Sequence, residues 1–376
     1  MPVKSTENLL SQVQENLDLF CQKQRADFEA ISADLIPVVD YTHSLLQGGK
    51  RFRALFCYWA WRSSLTDANY HQSETEVNDS EEAIAGIAAS LEMFHAAALV
   101  HDDLLDQSDT RRGAPAIHKR FETLHKDKQW AGSPERFGVA GSVLVGDLML
   151  GWSSEIFGNA LLHSPTREIE SACRDEFSLM RVEVMAGQYL DVLEENAAPS
   201  RPVTEGVGRA EKVILYKTAK YSIEAPLRIG AAFAGADQAT LGMFSQFGIP
   251  LGIAFQLRDD ILGVFGDPSV TGKPAGDDLR EGKRTVLIAL TKESLSERSP
   301  SMAESFEELL TSRDLDAQQI AFMQRLIKES GALEKTERMI VELADRSLES
   351  LEAAALEATA KSALKALALK VINRDA

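Results

Sequence analysis

The sequence predicts an all-α protein, on three observations. Nearly every long segment has helical period, no stretch carries sustained β-branched alternation, and the breaks between periodic segments are short and polar. Residues 83–106, "AIAGIAASLEMFHAAALVHDDLLD", are rich in Ala and Leu, with apolar residues recurring three and four apart. Residues 207–235, 241–266 and 334–372 repeat that character. The breaks fall at 63–82, 126–136, 194–206, 266–283 and 294–301. The same kind of helix resumes after each, so they read as interhelical loops and not as domain linkers. Length alone, 376 residues, suggests two domains. The uniform helical character overrides that prior, and one large helical domain over 1–376 is expected.

Composition narrows the function. Hydrophobic residues make up 44% of the chain, enough for a large core. A net charge of -17 argues against a nucleic-acid binder, which needs a broad basic surface. Any anionic ligand must then be held by local cations or by metal. Cys21, Cys57 and Cys173 show no CxxC spacing and read as reduced thiols. The first twenty residues lack an apolar signal core, and no unbroken run of about 18 apolar residues occurs. A cytoplasmic protein without a transmembrane segment is expected.

The chemistry concentrates at two helix ends. In "HDDLLDQSDTRRG" (101–113), Asp102 and Asp106 are four apart and share a helical face, with Asp103 to the side. Carboxylates this close repel one another unless a cation sits among them. Mg²⁺ fits, since it takes hard oxygens from one or two carboxylates and from substrate phosphates. Alone, the pattern is common on solvated helix faces. A second apolar helix, "FQLRDDILGVFGD", also ends in paired aspartates, Asp259 and Asp260, with Gln256 a turn earlier. Two such ends suggest facing carboxylate walls. Cations accompany both: Lys50, Arg51 and Arg53 beside a glycine pair, Arg111 and Arg112, Lys217 with Thr218, and Lys273 and Lys283 in a Gly-rich loop. Glycines admit a phosphate to the backbone and arginine forks suit its oxygens. Grouped in an acidic chain, these residues point to diphosphate plus Mg²⁺.

With these motifs the chain resembles the all-trans isoprenyl diphosphate synthases, or polyprenyl synthetases. The resemblance rests on "QGGKRFR", "LEMFHAAALVHDDLLDQSDTRRG", "GQYLDV", "YKTAKYS" and "FQLRDDILGVFGDPSVTGKPAGDDLREGKRT", in family order over most of residues 47–290. It implies a bundle of long helices around a central cavity, usually in a homodimer. It implies that Asp102 and Asp106, supported by Asp103, hold Mg²⁺, and that Asp259 and Asp260 hold a further ion. By the same resemblance, Lys50, Arg53, His95 and Arg112 bind isopentenyl diphosphate. Arg111, Lys217, Thr218, Gln256 and Lys273 contact the allylic diphosphate, with Lys283 nearby and Gln188 and Asp191 facing it. Asp102, Asp106, Lys217 and Asp259 are the expected catalytic set.

One departure stands out: where the second motif of the family often reads DDxxD, position 263 is Gly. Asp259 is then expected to carry more of the metal binding. A class I terpene cyclase would share the first motif, but its second reads roughly N-D-x-x-S-x-x-x-E, which "FQLRDDILG" does not. For product length, the chain is expected to grow from the metal site back along the helix of Asp102. Ala97 and Ala98 lie about one turn below, and Phe94, about 12 Å below, reads either as the floor or as plain core. Small residues at 97 and 98 favour geranylgeranyl diphosphate, with farnesyl or C25 and longer products as the alternatives. His101, His118 and His125 read as structural, Asp147 as a helix residue supporting packing, and Met93, Met149 and Met180 as core.

Overall fold

Apolar stripes at helical spacing organise the chain, as α1 (Thr6–Ile31) shows: it buries Leu9, Val13, Leu17 and Cys21, each four residues after the last. The structure is a computed structural model that describes residues 6–65, 74–266, 276–312 and 315–373. Its helices follow one another with a single two-stranded ladder, Thr110–Arg111 with Ala114–Pro115, among the described residues. The all-α expectation holds. Contacts group the chain into two compact units, one spanning Met1–Cys173 with Gly230–Gly235, the other Arg174–Ile229 with Ala236–Ala376.

In the first unit α2 (Ile36–Leu45) and α3 (Phe52–Ser64) lead into α4 (Glu74–Leu105). The α3 helix is buried from Ala54 to Trp61, so it has no solvated face of its own. α1, α3, α5 (Ile117–Asp127) and α6 (Pro134–Leu161) all touch α4. Ser133 caps α6 by accepting the Arg136 N–H, with Pro134 in the first turn, where its missing N–H costs nothing. Cys21, Cys57 and Cys173 are buried thiols outside any disulfide, and burial pushes the Cys21 thiol up to about 12. Met93, Met149 and Met180 are core residues, and His118 and His125 are buried. Asp147 differs from expectation: its side chain is solvent-exposed and lies 3.6 Å from His101. By length and mean hydropathy, Asp79–Leu105 and Pro134–Leu161 are apolar enough to cross a membrane. Sequence inspection missed this because small and isolated polar residues interrupt both runs. Most of the first is buried in its own unit, as a core helix is.

The division falls within α7 (Arg167–Ala197). In the second unit α8 (Gly206–Val213) passes directly into a π-helical stretch, Ile214–Glu224, and then into α9 (Ala225–Phe233). α10 (Gln238–Phe265) is capped by Asp237, which accepts the Thr240 N–H at 2.8 Å. It packs on the π-helical stretch and on the helix Ala332–Ala353. The core here joins Leu257, Ile261 and Val264 of α10 to Val286, Leu287, Met323 and Ile327. Two loop expectations shift. The break at 294–301 shrinks to Ser299, because the next helix begins with Pro300 at once. The break at 266–283 holds a short helical turn, Asp277–Arg280, whose Leu279 joins the same core and is fully buried. The tail is two helices, since Ala332–Ala353 stops before Ala358–Ile372 begins under a Glu357 cap.

Leu279 therefore ties an otherwise polar connection to the unit. Leu279→Ala is expected to cost about 2–5 kcal/mol, read as a lower urea midpoint at unchanged slope. A loss below about 1 kcal/mol would mean that the turn is not anchored there.

Candidate active site

In the first unit the site begins at the glycine pair before α3. Gly48 and Gly49 have left-handed backbones (φ +71° and +95°), and Arg51, which leads into α3, has φ 50°. Arg51 is not available to a ligand. It donates to Glu92 Oε2 at 3.3 Å, to Gln14 Oε1 at 2.7 Å and to the Leu46 carbonyl. Glu92, 4% exposed, also accepts the Ala54 N–H at 3.2 Å, so one buried carboxylate fixes both the loop and the start of α3. Lys50, beside it, is exposed, and Arg53 is half-buried one residue into the helix.

The paired arginines are placed by a tight hairpin. Arg112 (φ 52°) and Gly113 (φ 75°) are both left-handed, as a two-residue hairpin turn of the primed kind requires. Arg112 donates to the Leu45 and Gln47 carbonyls at 3.2 and 3.3 Å. A Cβ on Gly49 would stand 3.1 Å from its Nη2, so glycine there lets the guanidinium lie against the loop. Arg111 turns the other way and donates to Asp103 Oδ1, from Nε at 2.7 Å and also from Nη2. Its Nη2 is 3.9 Å from Asp102.

Asp103 thus departs from the metal-ligand expectation. It is 2% exposed and engaged by Arg111. Asp102, its side chain 22% exposed, and Asp106 keep open surface. His95, two turns before Asp102 on the same face, is half-buried. Its enclosure within the protein, and then the guanidiniums of Arg53, Arg112, Arg111 and Arg51, hold its imidazole well below the ordinary range. The group is a neutral imidazole surrounded by cations, which an anion would complement.

The chain-length residues divide. His95, Ala98, Leu99, Asp102 and Asp106 form the less buried stripe of the Asp102 end of α4. Ala97, five residues from Asp102 and about 140° round the helix, is fully buried, and Phe94 is 1% exposed. Both are packed in the core: for Phe94 this is the plain-core reading, and for Ala97 it departs from the expected place along the cavity. Ala98 remains, and Leu99, which sequence reasoning did not single out, joins it.

In the second unit Lys217 and Thr218 sit in the π-helical stretch, a form that often marks functional positions. Lys217 Nζ donates to Asp191 Oδ2 at 2.5 Å, with Gln188 half-buried one turn before Asp191 on α7. Thr218 Oγ1 donates to Gln256 Oε1 at 2.9 Å, and Gln256 Nε2 donates to Asp260 Oδ1 at 2.8 Å. Asp259 is exposed. Asp260 is 4% exposed, and its carboxyl is raised well above the ordinary range by burial, against the Gln256 hydrogen bond and with Asp278 and Asp259 adding to it. Asp260 is therefore a buried, Gln256-held carboxyl and not the open ligand expected. Lys283 pairs with Asp278 at 3.4 Å and Glu281 at 2.6 Å. Lys273 lies outside the described residues.

Glu92 and Asp278 were missed in the sequence. Glu92 had a signal, a lone acid in an apolar helical run, which needs a buried partner. Asp278 had none, because nothing in the spacing ties it to α10.

Among the described residues no three carboxylate, imidazole or thiol groups converge as a ready-made metal cage. The donors are hard oxygens in ones and twos, and Asp260 Oδ2 is buried without a hydrogen-bond partner. This set fits Mg²⁺ that arrives with diphosphate oxygens, not a metal held by protein alone.

The lowered imidazole gives a pH dependence. The unfolded chain takes up a proton near pH 6.5 that folded His95 refuses, so stability falls as pH drops through about 6.5. A His95→Asn variant should show a flatter fall in Tm between pH 7 and 5 than the parent. Parallel curves would remove His95 as the source.

Comparison with known proteins gives the same picture. The polyprenyl synthetase family profile matches residues 38–327. The geranylfarnesyl diphosphate synthase of Aeropyrum pernix is 34% identical over 264 residues, 70% of this chain and 72% of that protein. The structure of a geranylgeranyl pyrophosphate synthase from Corynebacterium glutamicum, complexed with isoprenyl diphosphate and magnesium, is 36% identical with a TM-score of 0.89. That likeness covers 99% of this chain and 100% of that one. A polyprenyl synthase from Caulobacter crescentus, complexed with calcium and isoprenyl diphosphate, is 26% identical with a TM-score of 0.71 over the whole of both chains. With the family profile matched over well beyond half its length, this chain belongs to the polyprenyl synthetase family.

Proposed function

We propose that the chain condenses isopentenyl diphosphate head-to-tail with allylic diphosphates, with geranylgeranyl diphosphate as its main product. It is a trans-prenyltransferase. The single observation that supports the substrate reading is the half-buried His95, its imidazole held low by burial and by nearby guanidiniums, on the helical stripe that leads to Asp102 and Asp106. Such a place would suit a diphosphate beside Asp102 and Asp106, which keep open surface.

Asp102 and Asp106 would hold Mg²⁺ of the allylic diphosphate, and Asp259 a further ion. When bound, the ions supply the positive charge that stabilises diphosphate as it leaves. The rest falls to side chains of this chain. Arg111, fixed by Asp103, and Lys217, fixed by Asp191, present cations where negative charge develops as the C1–O bond breaks. Thr218 and Gln256 orient the same diphosphate, with Lys273 and Lys283 nearby and Gln188 facing it. Lys50, Arg53, His95 and Arg112 position isopentenyl diphosphate, whose double bond attacks the allylic cation, and the departing diphosphate takes the proton. Apolar helix faces keep out the water that would quench the cation.

We read the assembly as a homodimer in the cytoplasm. α6 exposes Val139, Val143 and Leu144, and α7 exposes Val182, Met185 and Tyr189, apolar surface that a second copy would cover. Buried thiols outside any disulfide agree with a reducing compartment.

The direct test supplies labelled isopentenyl diphosphate with each allylic starter and sizes the products. Activity should require Mg²⁺, and Asp102→Ala or Asp106→Ala should lower turnover by about a hundredfold or more. Near-normal turnover in either variant would end the metal assignment. Product length is read in the same assay. Ala98→Phe narrows the open stripe one turn below Asp102 and should shorten the main product by one isoprene unit. An unchanged distribution would place the length-setting residues on another helix.

A further inference from the structure

Position 263 is where the second acidic motif departs from DDxxD, and the structure fills that place from elsewhere in the chain. Gly263 follows Asp259 by four residues on α10, so a side chain there would share the Asp259 face. A Cβ added to Gly263 would overlap the Asp278 carboxylate, with Oδ1 at 2.8 Å and Oδ2 nearer still. The glycine is what admits that carboxylate.

Asp278 is held where it stands. Its neighbour Leu279 is fully buried in the core of the unit. Gly276, left-handed at φ +75°, begins the turn, and Asp278 accepts from Lys283 Nζ at 3.4 Å. On the α10 side, Asp260 is 4% exposed, its Oδ2 is buried with no hydrogen-bond partner among the described residues, and its electrostatic neighbours include Asp278, Asp259 and Lys283. A buried carboxylate oxygen without a donor calls for an explanation. A cation joining Asp259 and Asp278 beside it would supply one, since carboxylates this close repel unless a cation sits among them.

We propose that Asp278 is the third carboxylate of the second acidic group, standing where an aspartate at position 263 would project, and that with Asp259 it takes the divalent cation of a bound diphosphate. This rests on the prenyl-transfer reading. It also changes the meaning of Gly263: the motif has not lost a carboxylate but draws it from a turn fifteen residues further on. The carboxylates do not close a cage by themselves, so the ion comes with diphosphate oxygens.

The test uses the full-length protein and measures thermal stabilisation by Mg²⁺ at fixed inorganic diphosphate, so the readout does not need turnover. Asp278→Asn keeps the shape and removes the charge, and should raise the Mg²⁺ concentration for half-maximal stabilisation at least tenfold. Gly263→Ala, which displaces the carboxylate without removing it, should raise it in the same direction. The exchange Gly263→Asp with Asp278→Gly should bring it back to within threefold of the parent. A purely structural Asp278–Lys283 pair would lower Tm without ligand and leave the Mg²⁺ half-point unmoved, which overturns the proposal. If Asp278→Asn does not fold, the exchanged pair decides: a half-point still raised tenfold overturns it as well. A parent protein that shows no stabilisation by Mg²⁺ and diphosphate would remove the functional reading and this inference together. A parent that responds, with Asp278→Asn responding equally, removes only the inference.

Discussion

The ion pair between Asp103 and Arg111 is the constraint on which the acidic end of α4 depends. Three aspartates at the end of α4 would repel one another, and the central one is almost fully buried. Arg111 meets that carboxylate with two donors, a fork geometry that ammonium cannot reproduce. Removing one partner of such a pair typically costs about 3–5 kcal/mol, because the other charge is left buried and alone. The pair also joins the hairpin to α4, which puts Arg111 next to Asp102 and leaves Asp102 and Asp106 with open surface. One carboxylate thus serves the architecture, while its two neighbours keep open surface.

The second unit follows the same logic with neutral links. Thr218, Gln256 and Asp260 form a hydrogen-bonded relay from the π-helical stretch to α10. Asp191 fixes the Lys217 ammonium from α7. Lys217 and Asp260 are each steadied by a partner from the same unit. Charge stabilisation in a transition state depends on groups already oriented when the bond breaks.

The helical architecture was legible because burial imposes a 3.6-residue period, and α1 and α10 show that pattern almost undisturbed. The two acidic ends and the basic clusters were legible as local motifs. What stayed hidden was the direction in which each side chain turns. Asp102 and Asp103 are adjacent in sequence, yet one is open and the other is enclosed, and only the hairpin that brings Arg111 back decides which. By distance along the axis Ala97 looked like a cavity residue and Phe94 like either floor or core, but rotation about the axis carries both into the core. Asp278 could not be seen at all, since its relation to α10 exists only through the turn that Leu279 anchors.

Arg112 carries a consequence for anyone reshaping this protein. Its backbone is left-handed at φ 52°, a conformation that costs an ordinary L-residue roughly 1–2 kcal/mol and that Gly or Asn tolerates better. The turn itself does not ask for arginine; its guanidinium, laid across the Leu45 and Gln47 carbonyls, is the reason for it. A library sorted on heat resistance alone would therefore drift toward Gly or Asn at 112 and discard the very cation that the strain maintains. At this one residue backbone stability asks for Gly or Asn, while the diphosphate recognition proposed for Arg112 asks for the guanidinium.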